Sequence, residues 1–118
     1  MKRKLMLLSA FFTAFTLTGI TAYAGWESNS TGYYYYDESI DDYAYSTWIQ
    51  DKGHYYYIGE DGYMLYGWVN VDGYDYYLEE SEGSTQGALY VNNVTPDGAM
   101  VGADGVRVSN PNEKFIQN

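Results

Sequence analysis

Aromatic residues recur in this 118-residue chain at fixed spacings. From Trp48 the sequence reads Trp-Ile-Gln-Asp-Lys-Gly-His-Tyr-Tyr-Tyr-Ile, and from Trp68 it reads Trp-Val-Asn-Val-Asp-Gly-Tyr-Asp-Tyr-Tyr-Leu. Trp48 aligns with Trp68, Gly53 with Gly73, Tyr56 with Tyr76, Tyr57 with Tyr77 and Ile58 with Leu78, without a gap. Clustered rings can hold cations that lack N–H donors, each cation–π contact contributing about 0.5–2 kcal/mol. Sugar rings stack on the same faces. Nothing comparable supports catalysis. His54 is the only histidine and cysteine is absent, so no nucleophilic triad can be assembled. His54 aligns with Tyr74 beside a turn and reads as an exposed strand residue. Asp37, Glu38, Asp41 and Asp42 cluster in a polar, loop-like stretch that reads as a solvated face. The Asp-Gly pairs lack the spacing of calcium loops, so turns account for them. The chain is expected to be non-enzymatic and to need neither cofactor nor metal.

A period near twenty marks a unit too small to bury its own core, so copies must stack. Lys52-Gly53 and Asp72-Gly73 separate short aromatic and β-branched runs, which signals hairpins because Gly accepts positive φ cheaply. Trp48–Asp51 and Tyr55–Ile58 are predicted to pair, and Asp61-Gly62 to turn the chain towards Tyr63–Tyr66. Upstream, Trp26 precedes Gly32-Tyr33-Tyr34-Tyr35-Tyr36 at a spacing one residue longer. Downstream, Gly87-Ala88 stands where a Gly-Trp pair would recur. Val94–Gly98 and Ala103–Val106 read as a terminal, capping variant. No helix period is visible. The expected fold is all-β, a solenoid of about three to four stacked hairpins over residues 25–108. Its units are about 25–47, 48–67 and 68–87, with a degenerate cap at 88–108 and a polar tail at 109–118.

The first 24 residues stand apart. Lys2, Arg3 and Lys4 precede an apolar stretch, and Ala22-Tyr23-Ala24 ends it, the pattern of a secretory signal peptide cleaved after Ala24. No later stretch is apolar enough to span a membrane. The expected location is extracellular, at the cell surface. Beyond residue 24, Lys52, Arg107 and Lys114 face all sixteen acidic residues, a formal charge of −13. Such a surface repels nucleic acid and keeps an aromatic-rich chain soluble. Aliphatic residues are sparse and tyrosines abundant, so the core is expected to be largely aromatic.

Gly67-Trp68-Val69-Asn70-Val71-Asp72-Gly73-Tyr74-Asp75-Tyr76-Tyr77-Leu78, preceded by Asp61-Gly62-Tyr63-Met64, resembles the choline-binding or cell-wall-binding repeat of Gram-positive bacteria and their phages. That pattern runs Gly-Trp, a polar spacer, Gly, Trp-Tyr-Tyr-Leu/Phe, then a Gly-containing turn and Met. The resemblance implies aromatic boxes for choline between consecutive hairpins. Carried over by position, it implies one box from Trp48, Tyr55, Tyr76 and Met64, with Trp68 from the next unit. An earlier box would use Trp26, Tyr34 and Tyr56. Asp75 and Ala88 interrupt a third, so at most two boxes are expected, with Asp51 and Asp75 as candidate attracting acids. The partner implied is choline of wall teichoic acids. Glucan or another carbohydrate is the alternative, as is a protein partner on the aromatic face. Self-association is left open.

Overall fold

The computed structural model describes residues 25–108. The expected signal peptide and the polar tail lie outside them. The described residues form ten short strands and no helix, so the all-β expectation holds. No helix among them is long and apolar enough to cross a membrane.

Three antiparallel hairpins come first. β1 (Gly25–Ser28) pairs with β2 (Tyr33–Asp37), which also pairs with the two-residue β3 (Asp42–Tyr43). β4 (Thr47–Asp51) pairs with β5 (His54–Ile58), and β6 (Gly67–Val71) with β7 (Tyr74–Leu78). β8 (Asn93–Val94), β9 (Met100–Val101) and β10 (Arg107–Val108) close the region as a small three-stranded sheet. The second and third turns have positive φ at both central residues, 51° and 84° at Lys52-Gly53, 54° and 91° at Asp72-Gly73. This is the tight turn whose twist matches its strands. The first turn is wider. Asn29 Oδ1 accepts from the Thr31 and Gly32 amides at 2.8 and 3.2 Å, which organises the loop over 29–32.

A two-stranded hairpin is marginal alone, and the hairpins hold each other through backbone bonds. The Met64 amide donates to Tyr33 O and the Leu89 amide to Tyr55 O, each at 2.8 Å. Tyr76 bridges to Val106. The core departs from the aromatic expectation. Ala44, Ile49, Tyr56, Ile58, Met64 and Ala88 form the buried cluster, with Trp26 and Tyr35 packed against it half-buried. Ile58 and Leu78 are the largest fully buried side chains. Phenol groups need hydrogen-bond partners, and the Tyr36 and Tyr90 hydroxyls donate to Asp41 and Glu79.

Two outcomes follow. Ile58→Ala should destabilise the fold by roughly 2–5 kcal/mol, read as a lowered urea midpoint with unchanged slope. Tyrosine ionisation sets the alkaline limit. The hydrogen bond to Asp41 pushes the Tyr36 phenol up to about 12, and that to Glu79 pushes Tyr90 to about 12. Folding favours their neutral forms, so this stability is complete below the ordinary value near 10 and is lost as pH rises from there through about 12. Tyrosinate absorbance should therefore rise late and together with loss of circular dichroism.

Candidate functional site

Strand alternation sorts the rings onto two faces. Trp26 stands opposite Tyr35 and Ser28 opposite Tyr33, so Trp26, Tyr33 and Tyr35 share a face. Tyr34 and Tyr36 point the other way. In the second hairpin Trp48 opposes Tyr57 and Gln50 opposes Tyr55. In the third, Trp68 opposes Tyr77 and Asn70 opposes Asp75. One count covers all three. The residue seven beyond each Trp shares its face: Tyr33, Tyr55, Asp75. The residue eight beyond Trp48 and Trp68 faces back to the preceding hairpin's tryptophan: Tyr56 meets Trp26 and Tyr76 meets Trp48.

At the first junction, the rings of Trp26 and Tyr56 meet edge to face, with centroids 5.1 Å apart and planes at 71°. Tyr35 backs Trp26 at 5.0 Å. The cleft beside them, about 480 Å³, is also lined by Tyr33, Asp51, Lys52, His54, Met64 and the 83–86 loop. His54 is exposed on its strand, as expected. Gly87 keeps that loop close, because a Cβ there would lie 2.5 Å from Met64 Sδ. Burial raises the phenols of Tyr35 and Tyr56, and Asp51 adds to both, placing one carboxylate's field at this cleft.

The second junction repeats the arrangement. Trp48 meets Tyr76 at 5.0 Å and 75°, with Tyr57 behind at 4.9 Å. Tyr55 is 43 % exposed and shares Trp48's face. Leu89 takes the place that Met64 has at the first junction, through the equivalent amide bond. The Tyr76 phenol is raised by burial first, then by Asp104, Tyr74 and Asp72.

The third tryptophan is satisfied internally. The Arg107 guanidinium sits 4.9 Å from the centre of the Trp68 ring, and the Trp68 indole donates to Asp97 at 2.8 Å. The bridge between Tyr76 and Val106 delivers Arg107 to that position. Asp75 lines the adjoining hollow with Arg107 and bonds to Asn70 at 2.9 Å.

The structure thus gathers Trp48 with Tyr76, and Trp26 with Tyr56. Three of the expected groupings differ. Met64 lies at the Trp26 junction, since its amide docks on β2. Trp68 engages Arg107 and Asp97 instead of joining Trp48. Tyr34 is on the face turned away from Trp26, because the count from Trp to the opposing tyrosine is the same in all three hairpins and only Gly32 comes one position later; Tyr33 takes the place expected of it. Tyr33, Leu89, Arg107 and the 83–86 loop were not anticipated. Counting from each Trp, instead of from each Gly, would have found Tyr33. Among the described residues no group of three or more His, Asp or Glu could hold a metal ion.

The pattern of the cell wall binding repeat matches residues 46–64 and 67–83. No curated protein matches the chain. Among solved structures, the choline binding domain of Spr1274 in Streptococcus pneumoniae is 31% identical, with 72% of this chain and 94% of that one covered and a TM-score of 0.60. Choline binding protein F from Streptococcus pneumoniae, crystallised in the presence of a peptidoglycan analogue, is 34% identical over 73% of this chain at a TM-score of 0.59. The chain spans only 26% of that protein's length. A truncated alternansucrase from Leuconostoc mesenteroides, 23% identical at a TM-score of 0.56, shares the fold alone; the match covers 72% of this chain and 7% of that one. A third of the residues shared across nearly all of the Spr1274 domain, with the repeat pattern on the second and third hairpins, leaves one conclusion: the chain belongs to the cell wall binding repeat family.

Proposed function

We propose that this chain is a secreted, non-catalytic module that attaches to the bacterial cell wall by holding choline headgroups in two clefts between consecutive hairpins. Residues 1–24 act as its signal peptide, and the units 25–47, 48–67 and 68–87 stack as a short solenoid ended by 88–108. The observation that carries this reading is the repeated junction, Trp26 against Tyr56 and Trp48 against Tyr76. The first opens on a cleft lined by both Asp51 and Lys52, and the second leaves Tyr55 exposed on the face of Trp48. A trimethylammonium group is held by ring faces and methyl contact. The first site comprises Trp26, Tyr33, Tyr56 and Met64, the second Trp48, Tyr55, Tyr76 and Leu89. Asp51 serves the first; Asp72 and Asp104 serve the second. After association costs, each site is expected to bind at roughly millimolar strength. Repetition along a wall polymer would multiply that through effective concentration. Choline on the relatives' printed names supports this ligand over a protein partner.

Tryptophan fluorescence titrated with choline should saturate in the low-millimolar range with two sites per chain. No response up to roughly 100 mM would exclude working sites on the affinity arithmetic. Trp26→Ala and Trp48→Ala should each remove one site and leave the other while lowering the urea midpoint; simultaneous loss of both sites with loss of the circular dichroism signal would mean unfolding. Arg107→Ala uncovers the Trp68 face beside Asp75, and the fitted number of sites is expected to rise from two to three, the third weaker by roughly tenfold for want of a second flanking ring.

A further inference from the structure

The first hairpin carries a second cleft on the face turned away from Trp26. Tyr34 lies 5.5 Å from Tyr43 and 6.0 Å from Tyr63 between ring centres, the second pair at 84°. With Asn29, Tyr45 and Asp61 these rings line a hollow of about 190 Å³. The chain crosses between the two sites at residues 63–64. Met64 turns to the first junction and Tyr63 to this cleft, against Gly32.

The polar groups here are held in place. Asn29 Oδ1 is fixed by two backbone amides, and its Nδ2 donates to the Tyr63 hydroxyl at 3.0 Å. Asp61 Oδ1 accepts from the Tyr63 amide at 3.2 Å. Tyr45 is 56 % exposed, yet its ring is seated: a Cβ on Gly62 would come within 2.8 Å of Tyr45 Cε1. Gly62, at φ 89°, supplies both the turn and the room for that ring. A large ring packed on a glycine at the surface gains little from burial and is presented to solvent.

We propose that this cleft binds a neutral sugar ring of a wall glycan. A pyranose offers an apolar C–H face to the tyrosine rings and a rim of hydroxyls to the amide, carboxylate and phenol groups. Aromatic walls with a few fixed polar groups suit such a ligand. The site shares no residue with either choline cleft and stands independently of that reading.

The test is calorimetric titration of the purified protein, with choline at saturation, using the N-acetylglucosamine tetramer in one arm and isomaltotetraose in the other. Binding in one arm identifies an amino-sugar or a glucose polymer as the source. Tyr45→Ala and Asn29→Ala should each weaken sugar binding by about tenfold or more while the choline titration stays unchanged, which also reports an intact fold. The proposal is overturned by silence from both sugars up to roughly 50 mM, by competition between sugar and choline, or by unaltered sugar affinity in both variants.

Discussion

A hairpin with five-residue strands cannot enclose anything by itself, and everything else in this chain answers to that constraint. The answer is a contact between neighbours: one tryptophan edge to face with the tyrosine of the next hairpin, fastened by an amide that docks on the preceding strand. Because ring pairs favour this perpendicular geometry, packing leaves a ring face beside the contact. Cohesion and the candidate binding surface therefore come from the same residues. Tyr56 shows the overlap best, being buried in the core cluster and also a wall of the first cleft.

Much of this was legible in the sequence. The Lys-Gly and Asp-Gly pairs marked the second and third turns because only a few residues tolerate positive φ twice in succession. The contact of Trp48 with Tyr76 follows from the spacing that the two units share. Tyr34 lies on the other face because Gly32 comes one position later than the other turn glycines, so an alignment on Gly is one residue out of step with the strand alternation. Met64 was assigned to the wrong junction because sequence order does not say which neighbour a connecting segment leans on. Arg107 gave no signal, as it comes to Trp68 through the terminal sheet. The aromatic core was expected from composition, yet Tyr56 is the one ring inside the main buried cluster, with Trp26 and Tyr35 half-buried against it.

The two faces of the first hairpin also explain its four consecutive tyrosines. Alternation sends Tyr33 and Tyr35 towards Trp26, and Tyr34 and Tyr36 away from it. On the second hairpin the face away from Trp48 carries Ile49, Tyr56 and Ile58, which are consumed by the core. On the first hairpin the corresponding face carries Tyr34, which with Tyr43 and Tyr63 lines the second hollow.

Each Trp–Tyr contact is shared between a tryptophan and the following hairpin's tyrosine, so the candidate sites belong to the gaps and not to the units. A series of hairpins offers one fewer gap than it has members. Lengthening such a protein by duplication would change its capacity in whole steps, while the last tryptophan always lacks a successor. Arg107 can be seen in that light: a guanidinium supplied from within covers the final ring, so the end of the array does not present an orphaned aromatic face to solvent.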